Sequence, residues 1–272
     1  MPLPMSPAEL PRFETLATGA EGEHVLVVTL NRPEAGNAIN TRMGEELTEL
    51  WLHLTARPDP WRCVVLTGAG ERIFCGGGDL KERHGMTRAQ WQHQHEIFER
   101  AYWAMVDAPL PIIGAINGHA YGGGLEILLC CDFVYASQAA RFAFSEVTLG
   151  IMPGMGGTQT LPRAVGERRA KELLLTGRPF DAAQAEAWGL VNAALPPAEV
   201  LPRSLQTAAT IAANAPLSVR QIKKSVRYGV QMELRTAFRF EVEAYNHLVD
   251  TEDRREGVAA FNEKRRPAFK GR

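Results

Sequence analysis

Asn117-Gly-His-Ala-Tyr-Gly-Gly-Gly-Leu-Glu-Ile-Leu-Leu-Cys130 joins an apolar run, Pro111-Ile-Ile-Gly-Ala-Ile116, to a new helix through Gly122, Gly123 and Gly124. Glycines lack a Cβ, so a reacting group can approach the main chain closely, and the first N–H groups of a helix have no partner within it. Such a turn can receive a developing negative charge. Glu126 lies just inside the helix and sets a carboxylate beside those N–H groups. A glycine triplet can equally be a tight strand-to-helix turn required by packing alone. The rest of the chain has to decide between the two.

The pattern occurs twice. Gly68-Ala-Gly-Glu-Arg-Ile-Phe-Cys-Gly-Gly-Gly-Asp-Leu-Lys81 follows a strand predicted over Cys63 to Thr67, and Asp79 is placed to cap a helix beginning Leu-Lys-Glu-Arg. Strand, glycine turn, helix, taken twice in succession, marks βαβ units and a mainly parallel sheet, an α/β class. Upstream, Phe13 to Thr18 and His24 to Leu30 read as a hairpin turning across Gly19-Ala-Glu-Gly22. After a loop from Asn31 to Asn40, Met43, Leu47, Leu50 and Leu54 recur at helical spacing, and Pro58 marks the stop.

Met86 to Val106 reads as largely helical, Pro111 to Ile116 as a buried strand, Ile127 to Ala136 as helix running into strand, and Arg141 to Phe144 as a further strand. Ser145-Glu-Val147 falls in a loop before Gly150-Ile-Met-Pro-Gly-Met-Gly-Gly157. From Thr158 the pattern is helical, at about 166–176, 181–188, 197–213, 216–228, 232–249 and 252–262, broken by one strand over Val191 to Leu195. Residues 1–200 therefore read as an α/β core and 201–272 as a helical region.

With 272 residues, 45% of them hydrophobic, the chain is long enough for a large core. No apolar stretch approaches the ~18 residues of a membrane span. Met1-Pro-Leu-Pro-Met-Ser-Pro shows no basic region followed by an apolar segment, and Glu9 and Glu14 argue against an acid-poor transit peptide, so a cytoplasmic location is expected. Cys63, Cys75, Cys130 and Cys131 form no CxxC pair and read as buried, reduced thiols. A net charge of −1 recommends neither nucleic acid nor an anionic membrane as partner. The charge is uneven, since Asp253 to Arg272 holds seven Lys and Arg against three Asp and Glu. Such a tail is ordinarily a solvated surface, or it meets a phosphate-bearing ligand.

Several common site signatures are missing. Ile73 stands where a dinucleotide fingerprint starting at Gly68 needs glycine, and there is no phosphate loop ending in Gly-Lys-Ser/Thr and no Gly-x-Ser-x-Gly elbow. His93, His95 and Glu96 lack a further ligand at metal-site spacing and read as a solvated helix face. His119 reads as a hydrogen-bonded turn residue. What remains is two glycine turns and two glutamates, Glu126 and Glu146, in apolar or glycine-rich surroundings. A carboxylate there must be paired, hydrogen-bonded or used. Two N–H donors and two carboxylates suit chemistry in which an oxyanion forms while a proton moves.

Five segments in series, Leu30 to Asn40, Phe74 to Glu82, Ala115 to Glu126, Cys131-Asp132 and Gly154 to Gln159, resemble the signatures of the crotonase superfamily, the enoyl-CoA hydratase/isomerase family. The match runs from about residue 13 to the end. The Leu-Lys-Glu-Arg helix start and the tail from Arg254 to Arg265 look closest to the branch containing methylglutaconyl-CoA hydratase. The resemblance implies a spiral of ββα units with a C-terminal helical trimerisation region, and homotrimers or homohexamers. It also implies an acyl-CoA substrate and no cofactor beyond the coenzyme A of that substrate.

By the same resemblance, the N–H groups of Gly78 and Gly123 would form an oxyanion hole, and Glu126 and Glu146 would be the catalytic pair. Ala38, Gly76, Asp79, Leu80 and Lys81 would bind substrate near the CoA, and Phe261 and Lys264 would reach the CoA of a neighbouring subunit. His84, Met86, Trp91 and Phe98 fall where the family places its acyl pocket, and they are equally plausible packing residues. Four positions depart from the family: Gly76 and Gly78 stand where alanine is commoner, Ser145 where proline is frequent, and Ala35 where a basic residue is common. The expected reaction is addition of water across the 2,3 double bond of an enoyl-CoA. The alternatives are an isomerase or another acyl-CoA reaction of the superfamily, a non-catalytic acyl-CoA binder, and RNA binding. The last is electrostatically poor, because Thr41 to Arg57 carries Glu45, Glu46 and Glu49 and no lysine.

Overall fold

The β-branched run Val25-Leu-Val-Val-Thr-Leu30 forms β2 (Val25–Leu30), which pairs antiparallel with β1 (Leu16–Glu21), Leu16 opposite Leu30 and Glu21 opposite Val25. The hairpin turns at Gly22, which adopts φ 63°, so Gly19, expected in the turn, lies instead within the strand opposite Val27. These features come from a computed structural model that describes residues 10–272. The reading of Met1 to Pro7 and Glu9 against a targeting segment concerns residues outside those described.

Helix α1 (Thr41–Ala56) starts where the Asn40 side chain accepts a hydrogen bond from Met43 N at 2.9 Å. The stripe Met43, Leu47, Leu50 and Leu54 is buried as its spacing requires, together with Trp51. Each such side chain contributes roughly 1.5–3 kcal/mol by leaving water.

One unit then recurs. β3 (Cys63–Gly68) and β4 (Ile73–Cys75) lead into α2 (Leu80–Arg83) and α3 (Arg88–Val106). β5 (Ile112–Ile116) and β6 (His119–Tyr121) lead into α4 (Gly123–Cys130). β7 (Phe133–Ser137) and β8 (Arg141–Ala143) lead, through a 3-10 turn at Glu146–Leu149, into α5 (Gly157–Val165) and α6 (Glu167–Thr176). β9 (Phe180–Asp181), α7 (Ala182–Ala187) and β10 (Ala193–Leu195) complete the core.

The first strand of each unit enters a six-stranded sheet, β1-β2-β3-β5-β7-β10, and the second enters a four-stranded sheet, β4-β6-β8-β9. β2-β3-β5-β7-β10 and β4-β6-β8 are parallel, and the pairs β1–β2 and β8–β9 are antiparallel. This is the expected ββα spiral. The sequence reading did not find β4, β6 or β9, which are three, three and two residues long and too short to show an alternation. It also passed over α5, whose glycine start and internal Pro162 obscure a helical pattern.

Helix α8 (Pro197–Ala212) covers the outer face of the larger sheet, where Val200, Ala208 and Ala212 pack on Val25, Cys63, Val65, Ile113 and Ala115. α9 (Pro216–Gly229) is fixed to the core by Lys223, which lies 2.8 Å from Asp132 and donates to the Leu110 carbonyl at 2.7 Å. α10 (Leu234–Val249) packs on α9, and α11 (Glu252–Asn262) follows. The basic tail folds back, with Asp253 accepting from Lys270 N and Gly271 N and Glu256 pairing with Arg265. All four cysteines are free thiols, and Cys63, Cys75 and Cys130 are buried. Among the described residues no helix is long and apolar enough to cross a membrane.

Candidate active site

Parallel pairing places Cys75 of β4 opposite Ala120 of β6, and Tyr121 of β6 opposite Ala143 of β8, so three short strands end side by side. The crevice beyond the carboxyl ends of parallel strands is the favoured ligand position in α/β proteins. The residues leaving these ends are Gly76-Gly-Gly78, Gly122-Gly-Gly124 and Phe144-Ser-Glu146. Gly76 to Gly78, Gly122, Gly123, Glu126, Ser145 and Glu146 line one cavity of ≈ 840 Å³. Its other walls include Leu80, Trp91, Phe98, Leu149, Ile151 and Met152.

The two glycine turns interlock so closely that side chains are excluded. A Cβ on Gly124 would lie 2.3 Å from the Cys75 carbonyl oxygen, one on Gly77 2.8 Å from the Tyr121 oxygen, and one on Gly122 2.9 Å from Glu146 Oε1. Gly77 and Gly122 also take φ of 91° and 50°. The result is proximity of two donors. Gly123 N is 3.2 Å from where a Gly77 Cβ would be, and Gly78 N is 3.7 Å from where a Gly123 Cβ would be. Neither N–H has an acceptor among the described residues, and Gly123, as the first residue of α4, has none to expect within its helix.

Three glutamates are buried, and they divide by what surrounds them. Glu46 accepts from Glu14 N, Thr15 N and Thr15 Oγ1 and pairs with Arg42. Burial alone would raise its pKa, but these donors outweigh burial and hold the carboxyl below the ordinary range. Glu126 is 3% exposed, and its Oε1 accepts from Met155 N at 2.7 Å and Gly157 N at 2.8 Å. Those bonds do not compensate for burial, which pushes its pKa up to about 7 with help from the charge of Glu146. Glu146 opens the 3-10 turn, its Oε2 is buried without a partner, and burial raises its pKa too. Glu46 is thus a structural anion. Glu126 and Glu146 are carboxyls whose burial raises their pKa and favours the protonated form, as acid/base work requires.

Of the other residues singled out in the sequence, Gly76 and Leu80 line the cavity, as do Trp91 and Phe98. Ala38, Asp79, Lys81, His84 and Met86 are not in its wall. Asp79 caps α2 by accepting from Lys81 N and Glu82 N, and it pairs with Arg32 at 2.9 Å. Phe261 lies in the last turn of α11 and Lys264 just beyond its end, neither in the wall of this chain's cavity, Phe261 being 83% exposed. His119 accepts from Arg141 N at 3.0 Å through Nδ1, from within β6 rather than from a turn.

Sequence reasoning missed Arg83, His95 and Glu96, all of which line the cavity. Trp91, His95 and Phe98 follow one another at spacings that share a helix face, and that signal was available. Arg83 had none, because a four-residue helix has no periodicity to read.

Two N–H groups with no acceptor among the described residues, set beyond parallel strands in one cavity with two buried carboxyls, are an arrangement that can stabilise an oxyanion while a proton moves. The sequence model of the enoyl-CoA hydratase/isomerase family matches residues 20–272, and the chain belongs to that family. It is 41% identical over 253 residues to the (E)-benzylidenesuccinyl-CoA hydratase of Thauera aromatica, covering 91% of this chain and 96% of that one. It is 38% identical over 249 residues to the short-chain-enoyl-CoA hydratase of Clostridium acetobutylicum, covering 91% and 95%. The 1.8 Å crystal structure of an enoyl-CoA hydratase from Bacillus anthracis matches with a TM-score of 0.93 at 40% identity, covering 95% of this chain and all of that one. The architecture is the crotonase fold.

Proposed function

We propose that the protein is an enoyl-CoA hydratase, adding water across the 2,3 double bond of an enoyl-CoA thioester. The observation that carries the reading is the adjacency of the bare Gly78 and Gly123 N–H groups in the cavity that also holds Glu126 and Glu146. The thioester oxygen accepts from the two N–H groups and takes up negative charge as water attacks C3, each donor contributing ~3–4 kcal/mol in the transition state. Glu126, its Oε1 fixed by Met155 N and Gly157 N, holds and polarises the water. Glu146, whose Oε2 has no protein partner, gives its proton to C2 and takes one from the water. One water O–H bond breaks, C3–O and C2–H bonds form, and the enzyme returns to its starting protonation. The thioester supplies the acidity and the protein the positioning, so the step calls for no metal or redox group. The relatives' names support the substrate class.

Glu146→Gln should lower kcat for crotonyl-CoA hydration by about 10² to 10⁴. Unchanged hydration in that variant would remove the assignment.

The same reading includes a cytoplasmic setting, consistent with four unpaired thiols, and assembly through the C-terminal helices. Val226, Leu234, Phe238 and Tyr245 expose 61%, 82%, 59% and 66% of their surface on α9 and α10, a contiguous kind of apolar face that an isolated chain rarely keeps. In a trimer this face is covered, and Phe261 and Lys264 extend toward a neighbour's CoA. Light scattering on the purified protein checks this: a monomeric mass would count against it.

A further inference from the structure

Among the described residues, Arg83 is the only arginine or lysine in the cavity wall. Its orientation is fixed from behind. Its Nε donates to Gln94 Oε1 at 2.7 Å, and the buried Gln94 is itself held by donating through Nε2 to Glu82 Oε2 at 2.7 Å and Thr41 Oγ1 at 2.9 Å. With both amide hydrogens of Gln94 directed at acceptors, its oxygen must face Arg83. The guanidinium also lies 4.4 Å from the Trp91 ring centroid and 5.5 Å from that of Phe98. Its far end is turned to the first glycine turn: Nη1 and Nη2 lie 3.2 and 3.5 Å from where a Cβ on Gly78 would be.

Neither Nη group has an acceptor among the described residues, and no carboxylate pairs with this side chain, although Glu82 and Glu126 favour its charge from further away. Two aromatic faces and one neutral amide do not compensate a partly buried cation, which ordinarily acquires an anion. A planar fork of free N–H donors matches one ligand group in particular, a carboxylate received through both oxygens.

We infer that the acyl group of the substrate carries a carboxylate, seated on Nη1 and Nη2 of Arg83. The inference rests on the hydratase reading and deepens it. The guanidinium adjoins Gly78, whose own N–H faces the thioester oxygen, so the acid lies only a few bonds from the thioester and the acyl group is short. Glu96, Glu126 and Glu146 also line the cavity, and none of them offers a carboxylate the donor fork that Arg83 does. His95, the remaining titratable group of the wall, lies against Gly154 rather than Gly78.

The test compares glutaconyl-CoA, a short enoyl thioester ending in a carboxylate, with the neutral trans-2-hexenoyl-CoA and crotonyl-CoA. The native enzyme should favour glutaconyl-CoA over hexenoyl-CoA in kcat/KM by about 10²-fold. Arg83→Met should abolish that preference, and Arg83→Lys, which keeps the charge and loses the fork, should fall between. Should Arg83→Met fold poorly, the dissociation constants of glutaryl-CoA and hexanoyl-CoA for the native protein supply the same comparison. Hydration of crotonyl-CoA without a preference for the acid, or equal losses on both longer thioesters in Arg83→Met, overturns the inference and leaves the hydratase standing. No turnover of any of the three thioesters overturns the hydratase reading, and this inference with it.

Discussion

The turns at Gly76–Gly78 and Gly122–Gly124 look alike in sequence, and each brings one N–H without an acceptor among the described residues to the wall of the same cavity, yet they are constrained differently. In the second turn, a Cβ on Gly124 would stand 2.3 Å from the Cys75 carbonyl oxygen and one on Gly122 2.9 Å from Glu146 Oε1, while one on Gly123 would meet the end of the Ile39 side chain at 3.2 Å. In the first, a Cβ on Gly77 would meet backbone atoms at 2.8 and 3.2 Å and one on Gly76 a backbone oxygen at 3.3 Å, while Gly78 faces the far end of a long side chain. The helices that follow also carry opposite charges into the cavity, Glu126 from α4 and Arg83 from α2. On the proposed reading the second turn serves proton chemistry and the first serves recognition. Their shared N–H donors tie the two together.

The largest expected effect tests the rigidity of the second turn. In Gly124→Ala a methyl group would stand 2.3 Å from a backbone oxygen, which requires β4 and α4 to separate. A cost above ~4 kcal/mol is expected, enough to leave little folded protein. Denaturant unfolding or soluble yield measures it. A variant with native stability would show that the two turns are less tightly joined than their geometry indicates.

An intermediate effect tests the charge on α4. The Glu126 pKa is raised from 4.5 to about 7, so between those values the folded state binds more protons than the unfolded chain. The associated stability is fully present below about 4.5 and is lost as pH rises through 7, by up to about 3 kcal/mol. Glu126→Gln keeps an oxygen for Met155 N and Gly157 N and removes the titration. Its stability relative to native should therefore increase from pH 4.5 to pH 8, whatever constant offset the amide introduces. Urea midpoints across that range give the slope, and parallel curves would contradict it.

Much of this arrangement was legible in the chain because backbone crowding leaves glycines, and glycines are visible. The repeated turns and the paired glutamates followed from that, the ββα order was implied only by the family resemblance, and the C-terminal helices followed from their periodicity. Of the short second strands only β8 was legible; β4, β6 and β9, two or three residues long, display no alternation, and with them went the existence of the smaller sheet. Nor could the sequence show that Met155 and Gly157, some thirty residues beyond Glu126, return to bind its carboxylate. Arg83 was hidden for a related reason. It was read as part of a helix start, and only the packing of α3 across α2 turns its guanidinium onto Gly78.

That placement gives the first turn its distinctive prediction, and the smallest in energy. Gly78 has no left-handed φ, and its imagined Cβ meets only the end of Arg83, 3.2 Å away. Alanine there loses less backbone freedom on folding, a gain of about 0.4–1 kcal/mol, against a similar cost for displacing the guanidinium. Gly78→Ala should consequently unfold within about 1 kcal/mol of native, in contrast to Gly124→Ala. The N–H of residue 78 survives the change, so the donor pair persists. What should move is selectivity: the methyl pushes Nη1 and Nη2 off their position, and the ratio of kcat/KM for glutaconyl-CoA over hexenoyl-CoA should fall by about tenfold. A large loss of stability would mean that the first turn is as rigid as the second. An unchanged ratio would mean that the space over Gly78 is not where the acyl carboxylate is held.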